Sequence, residues 1–242
     1  GHIMRQRTIT IVRAGQSGLQ LGLGLLQHGY AVRLVSDRTG EEIAAGRVAS
    51  SQCMFGRALA YERAVGVDLW DDAPPVEGIG FTVPNPEQPG EKLFSWAGRL
   101  DSDAYAIDQR VKFPALMRLF EDRGGEIVYE EADLASLERY TLESELVIVA
   151  AGKGEIARAF ERDAERSTYD APQRALALTY VHGLKPTPEF SRVSFNLVPG
   201  VGEFFVFPAL TLSGDCDIFV FEGVPGGPLD RFRDLTPEEH LE

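Results

Sequence analysis

The segment from Thr8 to Asp37 constrains the fold of this chain more than any other. It begins with a short run of apolar and β-branched residues, Thr8–Val12, which is typical of a buried parallel strand. After a glycine-rich turn, leucines at positions 19, 23 and 26 form one apolar face of a predicted helix. Gly29 lies where a glycine ends a helix, and a second apolar strand, Val32–Val35, leads to Asp37. This order of elements is that of a dinucleotide-binding βαβ unit, so the sequence predicts an α/β protein with a Rossmann-like domain.

The glycine-rich turn is the predicted binding element of this unit. Gly15 lets a diphosphate approach the backbone N–H groups at the start of the helix, where the helix dipole favours negative charge. We therefore assign Gly15, Gln16, Ser17 and Gly18 to cofactor binding, and Gly18 also lets the helix lie close to the sheet. Asp37 follows about 20 residues after the turn, where an acid hydrogen-bonds an adenosine ribose. The alternative is a turn that only packs the helix on the sheet.

Arg13 departs from the G-x-G-x-x-G pattern, because it stands where the first glycine is normally required for the tight turn. Its side chain could strain the backbone or fill the phosphate site, and its positive charge could instead approach a diphosphate. We expect replacement of Arg13 by glycine to strengthen dinucleotide binding.

The charge balance restricts the partners of the chain. Its 37 acidic and 24 basic residues give a net charge of −13, which argues against binding to nucleic acid or to anionic membranes. No apolar run reaches the ~20 residues of a membrane span. Cys53 and Cys216 are the two cysteines; they are too few for a disulfide framework and are not spaced as metal ligands, so we expect no metal site. These features favour a cytoplasmic enzyme.

The first predicted domain continues beyond this unit. A helix is predicted from about Lys112 to Arg123, and apolar strands flank it on the C-terminal side. We place this dinucleotide-binding domain at residues 5–75 and 104–172. No set of conventional acid, base and nucleophile residues stands out in the chain, so catalytic residues are unassigned and a cofactor is expected to carry the chemistry.

The second predicted domain is an inserted, mostly antiparallel β-sheet that binds the substrate. It comprises a hairpin in residues 76–103 and alternating or apolar runs in residues 173–242, separated by glycine and proline turns. Some of its aromatic residues must belong to the core, which is the safer interpretation for any single one. Together they would suit the apolar wall of a pocket for a hydrophobic substrate. They are Tyr180, Phe195, Phe204, Phe205, Phe207, Phe219 and Phe221.

Short motifs along nearly the whole chain point to one family. They are S-D-R at 36–38, G-R-V at 46–48, A-I-D-Q-R at 106–110, V-I-V-A-A-G-K-G at 147–154, P-Q-R-A-L at 172–176 and P-G-V-G-E at 199–203. In their order and spacing the chain resembles flavoprotein monooxygenases of the p-hydroxybenzoate hydroxylase type. More closely, it resembles the oxygenase component of two-component styrene/indole monooxygenases.

The resemblance implies FAD as the cofactor, bound by four segments. These are the glycine-rich turn at the pyrophosphate, an acid with its neighbouring arginine at the adenosine ribose, two arginines on the FAD side, and a small-residue turn after an apolar strand. In this chain they are Gly15, Gln16, Ser17 and Gly18; Asp37 and Arg38; Arg47 and Arg110; Ala151 and Gly152. For Arg47, the residues alone leave open a solvated surface arginine.

The resemblance also implies the activity. The family's oxygenase takes reduced FAD from a separate NADH-dependent flavin reductase, and a flavin C4a-hydroperoxide delivers one oxygen atom to a small apolar aromatic alkene to give an epoxide. A homodimer is a further expectation. The family has a Gly-Asp motif downstream of the position where this chain ends at Glu242, so we expect a truncated oxygenase that lacks much of the flavin-ring half of the site. Two alternatives stay open: an FAD-binding fragment without catalysis, and a single-component NAD(P)H-dependent aromatic hydroxylase.

Overall fold

The computed structural model of the chain describes residues 7–49, 52–152 and 154–242. They fall into two compact units, one within residues 1–49, 61–68 and 109–163 and the other within residues 50–60, 69–108 and 164–242. The second unit thus includes residues 52–60, 69–75, 104–108 and 164–172, which the sequence analysis gave to the first domain. The binding roles of the two predicted domains stay a prediction.

Eleven strands and six α-helices make up the described part of the chain. In chain order they are β1 (Thr8–Val12), α1 (Gln16–Gln27), β2 (Ala31–Ser36), α2 (Gly40–Ala44), β3 (Cys53–Met54), α3 (Gly56–Ala64), β4 (Val76–Pro84), β5 (Lys92–Ala106), α4 (Gln109–Asp122), β6 (Glu126–Tyr129), α5 (Leu134–Glu143), β7 (Leu146–Val149), α6 (Glu155–Arg158), β8 (Ala175–Val181), β9 (Arg192–Val198), β10 (Gly202–Thr211) and β11 (Gly214–Gly223). Short 3₁₀ helices follow at Asp230–Asp234 and Glu239–Leu241. None of the helices in this part of the chain combines the length and the apolar composition needed to cross a membrane.

The first unit is built on a four-stranded parallel sheet in the order β6-β2-β1-β7. β1 is flanked on both sides, and its residues from Ile9 to Val12 are buried. Leu19 and Leu23 of α1 pack in the same core as Phe120 of α4. Gly29, just after α1, has a φ of 86°, which a glycine adopts without steric strain. The predicted βαβ unit and the α/β class are therefore confirmed.

Helix α4 differs from its prediction mainly at one end. It begins at Gln109, three residues before the predicted start at Lys112, and ends at Asp122, one residue before the predicted end at Arg123. The A-I-D-Q-R motif therefore does not all precede the helix, since its last two residues, Gln109 and Arg110, form the first turn of α4.

The second unit contains a seven-stranded sheet in the order β3-β5-β4-β9-β10-β11-β8. All its neighbouring strands are antiparallel except the parallel pair of β4 and β9, so the mostly antiparallel sheet is confirmed. The predicted hairpin is the pair of β4 and β5. β5 continues to Ala106, because Ala104 and Ala106 are fully buried in the core of this unit together with Val76.

The predicted aromatic wall is wrong as a single surface. Successive side chains of a strand point to opposite faces of the sheet, so Phe204 and Phe205 of β10 are separated. Phe205 lies on the face of Phe195, with ring centroids 5.3 Å apart. Phe204 lies on the other face with Phe221, at 6.2 Å. The register assigns Tyr180, Phe195, Phe205 and Phe207 to the first face, and Phe204, Phe219 and Phe221 to the second.

Candidate functional site

The turn between β1 and α1 presents the start of a helix to open space. Gly15 is the residue before α1 and has an extended backbone, with φ −92° and ψ −169°. Among the described residues, no side chain caps this helix start, and its first turn contains no acidic residue. A Cβ atom at Gly15 would meet nothing within 4 Å. The first turn therefore offers backbone N–H donors, at the positive end of the helix dipole, with room for an anion beside them.

Glycines bring α1 into close contact with this turn. A Cβ atom at Gly18 would lie 2.1 Å from the carbonyl oxygen of Arg13, which no real side chain tolerates. One helical turn later, a Cβ atom at Gly22 would lie 3.0 Å from the ring of Phe120. The close packing expected from Gly18 is therefore present, and Gly22 adds a second close contact, whatever the turn binds.

Arg13 holds the acid that was predicted to bind ribose. Its φ is 91°, in the left-handed region that is unfavourable for residues with a side chain. Its Nη1 donates a hydrogen bond to Oδ2 of Asp37 at 3.0 Å, and the two side chains are 39% and 41% exposed. Its Nη2 lies 3.2 Å from the position of a Cβ atom at Gly154. Arg13 therefore adopts the strained backbone that the sequence suggested, while its guanidinium pairs with Asp37.

This ion pair lies in a cleft of about 420 Å³ in the first unit. The lining residues are Val12, Arg13, Val35, Asp37, Glu130, Glu131, Ala132, Asp133, Gly154 and Ile156. Most of them lie at or just beyond the C-terminal ends of parallel strands, which is where ligands bind in open α/β sheets. Four carboxylates face one guanidinium, so this cleft suits hydroxyl donors such as those of a ribose better than it suits a diphosphate.

Hydrogen bonds lower the pKa of two of these carboxyl groups. The hydroxyl of Tyr140 donates a hydrogen bond to Oε1 of Glu130, and this bond keeps the pKa of Glu130 below its usual value. Arg139 acts in the same direction through Nη2, at 2.6 Å from the same oxygen. Asp133 caps α5 by accepting the backbone N–H of Ser136 at 2.8 Å, which lowers the pKa of its carboxyl. The sequence analysis missed these acids, although they directly follow the apolar strand β6.

The other predicted site residues do not line this cleft. Arg38 and Arg47 are exposed in the segments before and after α2, and Arg47 makes no hydrogen bond or ion pair with the described residues. Arg110 lies in the first turn of α4 and is half-buried. Ala151 and Gly152 follow β7, and a Cβ atom at Gly152 would meet nothing within 4 Å. Of the residues assigned from the sequence to FAD, Asp37 alone is a member of the cleft lining.

The second unit has a cavity of its own, of about 620 Å³, on the sheet face of Val206 and Pro208. Its walls mix apolar residues with charged ones, including Arg192, Glu77 and Asp217. Burial raises the pKa of the Asp217 carboxyl, and a backbone hydrogen bond from Ser191 lowers that of Glu77. With this charged lining, the cavity is not the aromatic-walled pocket that the sequence predicted.

Comparison with known sequences gives the relatives of the chain. Residues 152–242 match the family model described as "Styrene monooxygenase A putative substrate binding domain". The chain is 31% identical over 225 residues to styrene monooxygenase StyA of Pseudomonas fluorescens, and equally similar to StyA of a Pseudomonas species. Both of these relatives are styrene monooxygenases. The predicted resemblance to the oxygenase component of these enzymes is thereby confirmed.

The match to StyA covers 93% of this chain and 53% of StyA, so the chain spans about half the length of the curated relatives. The matched substrate-domain model begins at residue 152, earlier than the boundary at 173 predicted from the sequence, and it includes β8 to β11.

Comparison with solved structures agrees on the fold. The flavin-dependent halogenase CmlS covers 98% of this chain with a TM-score of 0.67, and 46% of CmlS is matched. 2-Methyl-3-hydroxypyridine-5-carboxylic acid oxygenase covers 93% of this chain with a TM-score of 0.62, and 60% of that oxygenase is matched. Both are 14% identical in sequence, so they support the α/β architecture and nothing finer.

Proposed function

We propose that this chain is the dinucleotide-binding and substrate-binding part of the oxygenase component of a two-component styrene monooxygenase. The observation that carries the proposal is its similarity to StyA along 93% of its length. The cofactor is FAD, which reaches the oxygenase in reduced form from a separate NADH-dependent flavin reductase. The substrate is a small apolar aromatic alkene of the styrene or indole type, and the product is its epoxide.

The described residues fit the adenosine diphosphate part of FAD. The uncapped first turn of α1, from Gln16 to Gly18, would hold the diphosphate through backbone N–H groups. Asp37 and the acids around it would accept hydrogen bonds from ribose hydroxyls. Arg13 must release Oδ2 of Asp37 before both oxygens of that carboxylate can accept ribose hydroxyls. Because both side chains are substantially exposed, their ion pair is worth only about 0–1 kcal/mol, and release is easy.

Reduced FAD, when bound, would supply the chemistry: activation of molecular oxygen, of which one atom would enter the alkene double bond and the other would leave as water. The chain's contribution is to bind and orient the two partners. The sheet face that carries Phe195 and Phe205 is apolar, and both rings are half-buried. An aromatic alkene that covers these rings removes apolar surface from water and is held by ring–ring contacts. This face is therefore the proposed substrate surface.

The first experiment is the absorption spectrum of the chain after incubation with FAD and desalting. The second measures the styrene oxide that the chain forms from styrene, oxygen and chemically reduced FAD. Flavin bands that survive desalting and the formation of styrene oxide are the expected results. Phe205→Ala should reduce styrene epoxidation more than Phe204→Ala, because the two rings lie on opposite faces. A protein that retains no flavin contradicts the proposal.

A second candidate function is that of an FAD-binding module without catalysis. The observation that favours it is the pairing of Arg13 with Asp37, which places a competing side chain on a predicted FAD ligand. Retained FAD without styrene oxide would select this function. Rapid bleaching of bound FAD by NADH without a reductase would instead select a single-component hydroxylase.

A further inference from the structure

Within the first unit, a buried ion pair joins helix α3 to helix α4. Nζ of Lys112 donates to Oε1 of Glu62 at 2.5 Å, and the two side chains are 6% and 3% exposed. Glu62 belongs to α3 and Lys112 to the first turn of α4. Burial lowers the pKa of the Lys112 ammonium, while Glu62 opposes that shift. A buried pair of this kind is weak evidence for stability, because the loss of hydration offsets much of the attraction between the charges. A gain in stability therefore does not account for this ion pair.

The same carboxylate oxygen also holds the first residue of α1. Nε2 of Gln16 donates to Oε1 of Glu62 at 3.2 Å and lies 3.3 Å from Oε1 of Gln20. Gln16 directly follows Gly15 in the uncapped turn, and Lys112 lies two residues after Arg110. One oxygen atom thus connects the first turns of two helices, and each of these turns carries residues assigned to FAD.

We infer that Glu62 is a positioning residue for dinucleotide binding, which fixes the first turn of α1 relative to the first turn of α4 through Gln16 and Lys112. This inference rests on the proposed function. Backbone N–H donors bind a diphosphate well only if they are held in place before it arrives. A movement of either helix start would break a hydrogen bond to the carboxylate of Glu62, which is too buried for water to replace that bond. The bridge that Glu62 forms between Gln16 and Lys112 therefore resists such movement.

The decisive variant is the double substitution Glu62→Met with Lys112→Met. Replacing a buried ion pair by apolar residues of similar volume commonly leaves stability unchanged or raises it, so the fold should survive. We expect the thermal midpoint to stay level or rise, while the Kd for FAD, measured by flavin fluorescence, increases about tenfold, as is typical when groups that orient a binding site are removed. Gln16→Met removes the connection to α1 alone and should raise the Kd less.

A matched control is the double substitution Arg33→Met with Glu143→Met. It removes the ion pair of the same unit that joins β2 to α5, at 2.7 Å, together with the pair of Arg33 with Glu126 of β6, at 3.3 Å, and neither touches a helix start of α1 or α4. This variant should bind FAD with the Kd of the wild-type protein. An equal loss of affinity in both double variants would mean that any lost ion pair weakens binding, and would overturn the positioning role.

Hydrogen exchange of the protein without FAD separates this inference from the proposed function. The Glu62→Met/Lys112→Met protein should exchange faster in peptides 13–20 and 107–113, and at the wild-type rate in α5. Unchanged exchange together with an unchanged Kd would overturn the inference. If wild-type protein binds no FAD while the exchange difference persists, the proposed function fails and the bridge between the two helix starts is established without it.

Discussion

Replacement of Arg13 by glycine tests most directly whether Arg13 competes with FAD for Asp37. The substitution removes the left-handed strain of a residue at φ 91°, worth about 1–2 kcal/mol for a residue with a side chain. Against this gain, the greater freedom of glycine in the unfolded chain lowers the free energy of unfolding by about 0.5–1 kcal/mol. Loss of the exposed pair with Asp37 removes a further ~0–1 kcal/mol. The free energy of unfolding should therefore change by between about −1 and +1.5 kcal/mol, which is a shift of at most about 3–6 °C in Tm.

The affinity for FAD should change in one direction. In the wild-type protein Arg13 occupies one oxygen of Asp37 and must give it up before both oxygens can accept ribose hydroxyls, whereas in Arg13→Gly both are already available. The gain equals the free energy of the exposed pair, so the Kd should fall by at most about fivefold. Because added salt screens exposed pairs, the difference between the two proteins should shrink from 0.05 to 0.5 M salt.

Arg13→Ala separates the two causes. It removes the ion pair but keeps a Cβ atom at a left-handed position, so it should gain the same affinity as Arg13→Gly and show the lower Tm of the two. Flavin fluorescence titration and a thermal melt measure both quantities. A Kd that rises in Arg13→Gly would refute this reasoning, because it would mean that the guanidinium contributes to FAD binding in the complex.

Two further predictions concern the turn and the acidic cleft. Gly18→Ala places a methyl group against the carbonyl oxygen of Arg13 and should lower the free energy of unfolding by about 1–3 kcal/mol. In Gly15→Ala the added methyl group has open space, so this variant should keep the wild-type Tm but bind FAD more weakly. Thermal melts and fluorescence titrations of the two variants test these expectations. Tyr140 lowers the folded-state pKa of Glu130, so this contribution to stability is complete above the unfolded-state pKa and is lost as pH falls through the folded-state value. Urea unfolding between about pH 7 and pH 3 should therefore show a shallower acid loss for Tyr140→Phe than for the wild-type protein, and equal slopes would contradict the assignment.

The sequence predicted the local features of the first unit well. Apolar runs, the leucine spacing of α1 and Gly29 act over short distances, so the βαβ unit could be read from neighbouring residues. The pairing of Arg13 with Asp37 depends on how the loops after β1 and β2 approach each other, which no short pattern records. Glu62 lies 46 residues from Gln16 and 50 residues from Lys112 in the sequence, so no short pattern records this connection either.

The second unit shows a different limit. The strands were predicted from their composition, but the aromatic residues were grouped without regard to which face each occupies. The adjacency of Phe204 and Phe205 already implied opposite faces, because strand side chains alternate. The extension of β5 through Ala106 was missed because its polar middle section does not read as a strand, although the hydrogen-bonded neighbours on both sides hold it extended.

The acidic cleft also bears on how fast FAD arrives. A diphosphate that approaches a chain of net charge −13 is repelled at long range, and the carboxylates around Asp37 add to that repulsion near the entrance. Encounter is therefore opposed rather than steered by the field of the protein, and raising the ionic strength should increase the association rate constant. FAD that is released close to the cleft would then be captured most efficiently, since a shorter approach reduces the distance over which this repulsion acts.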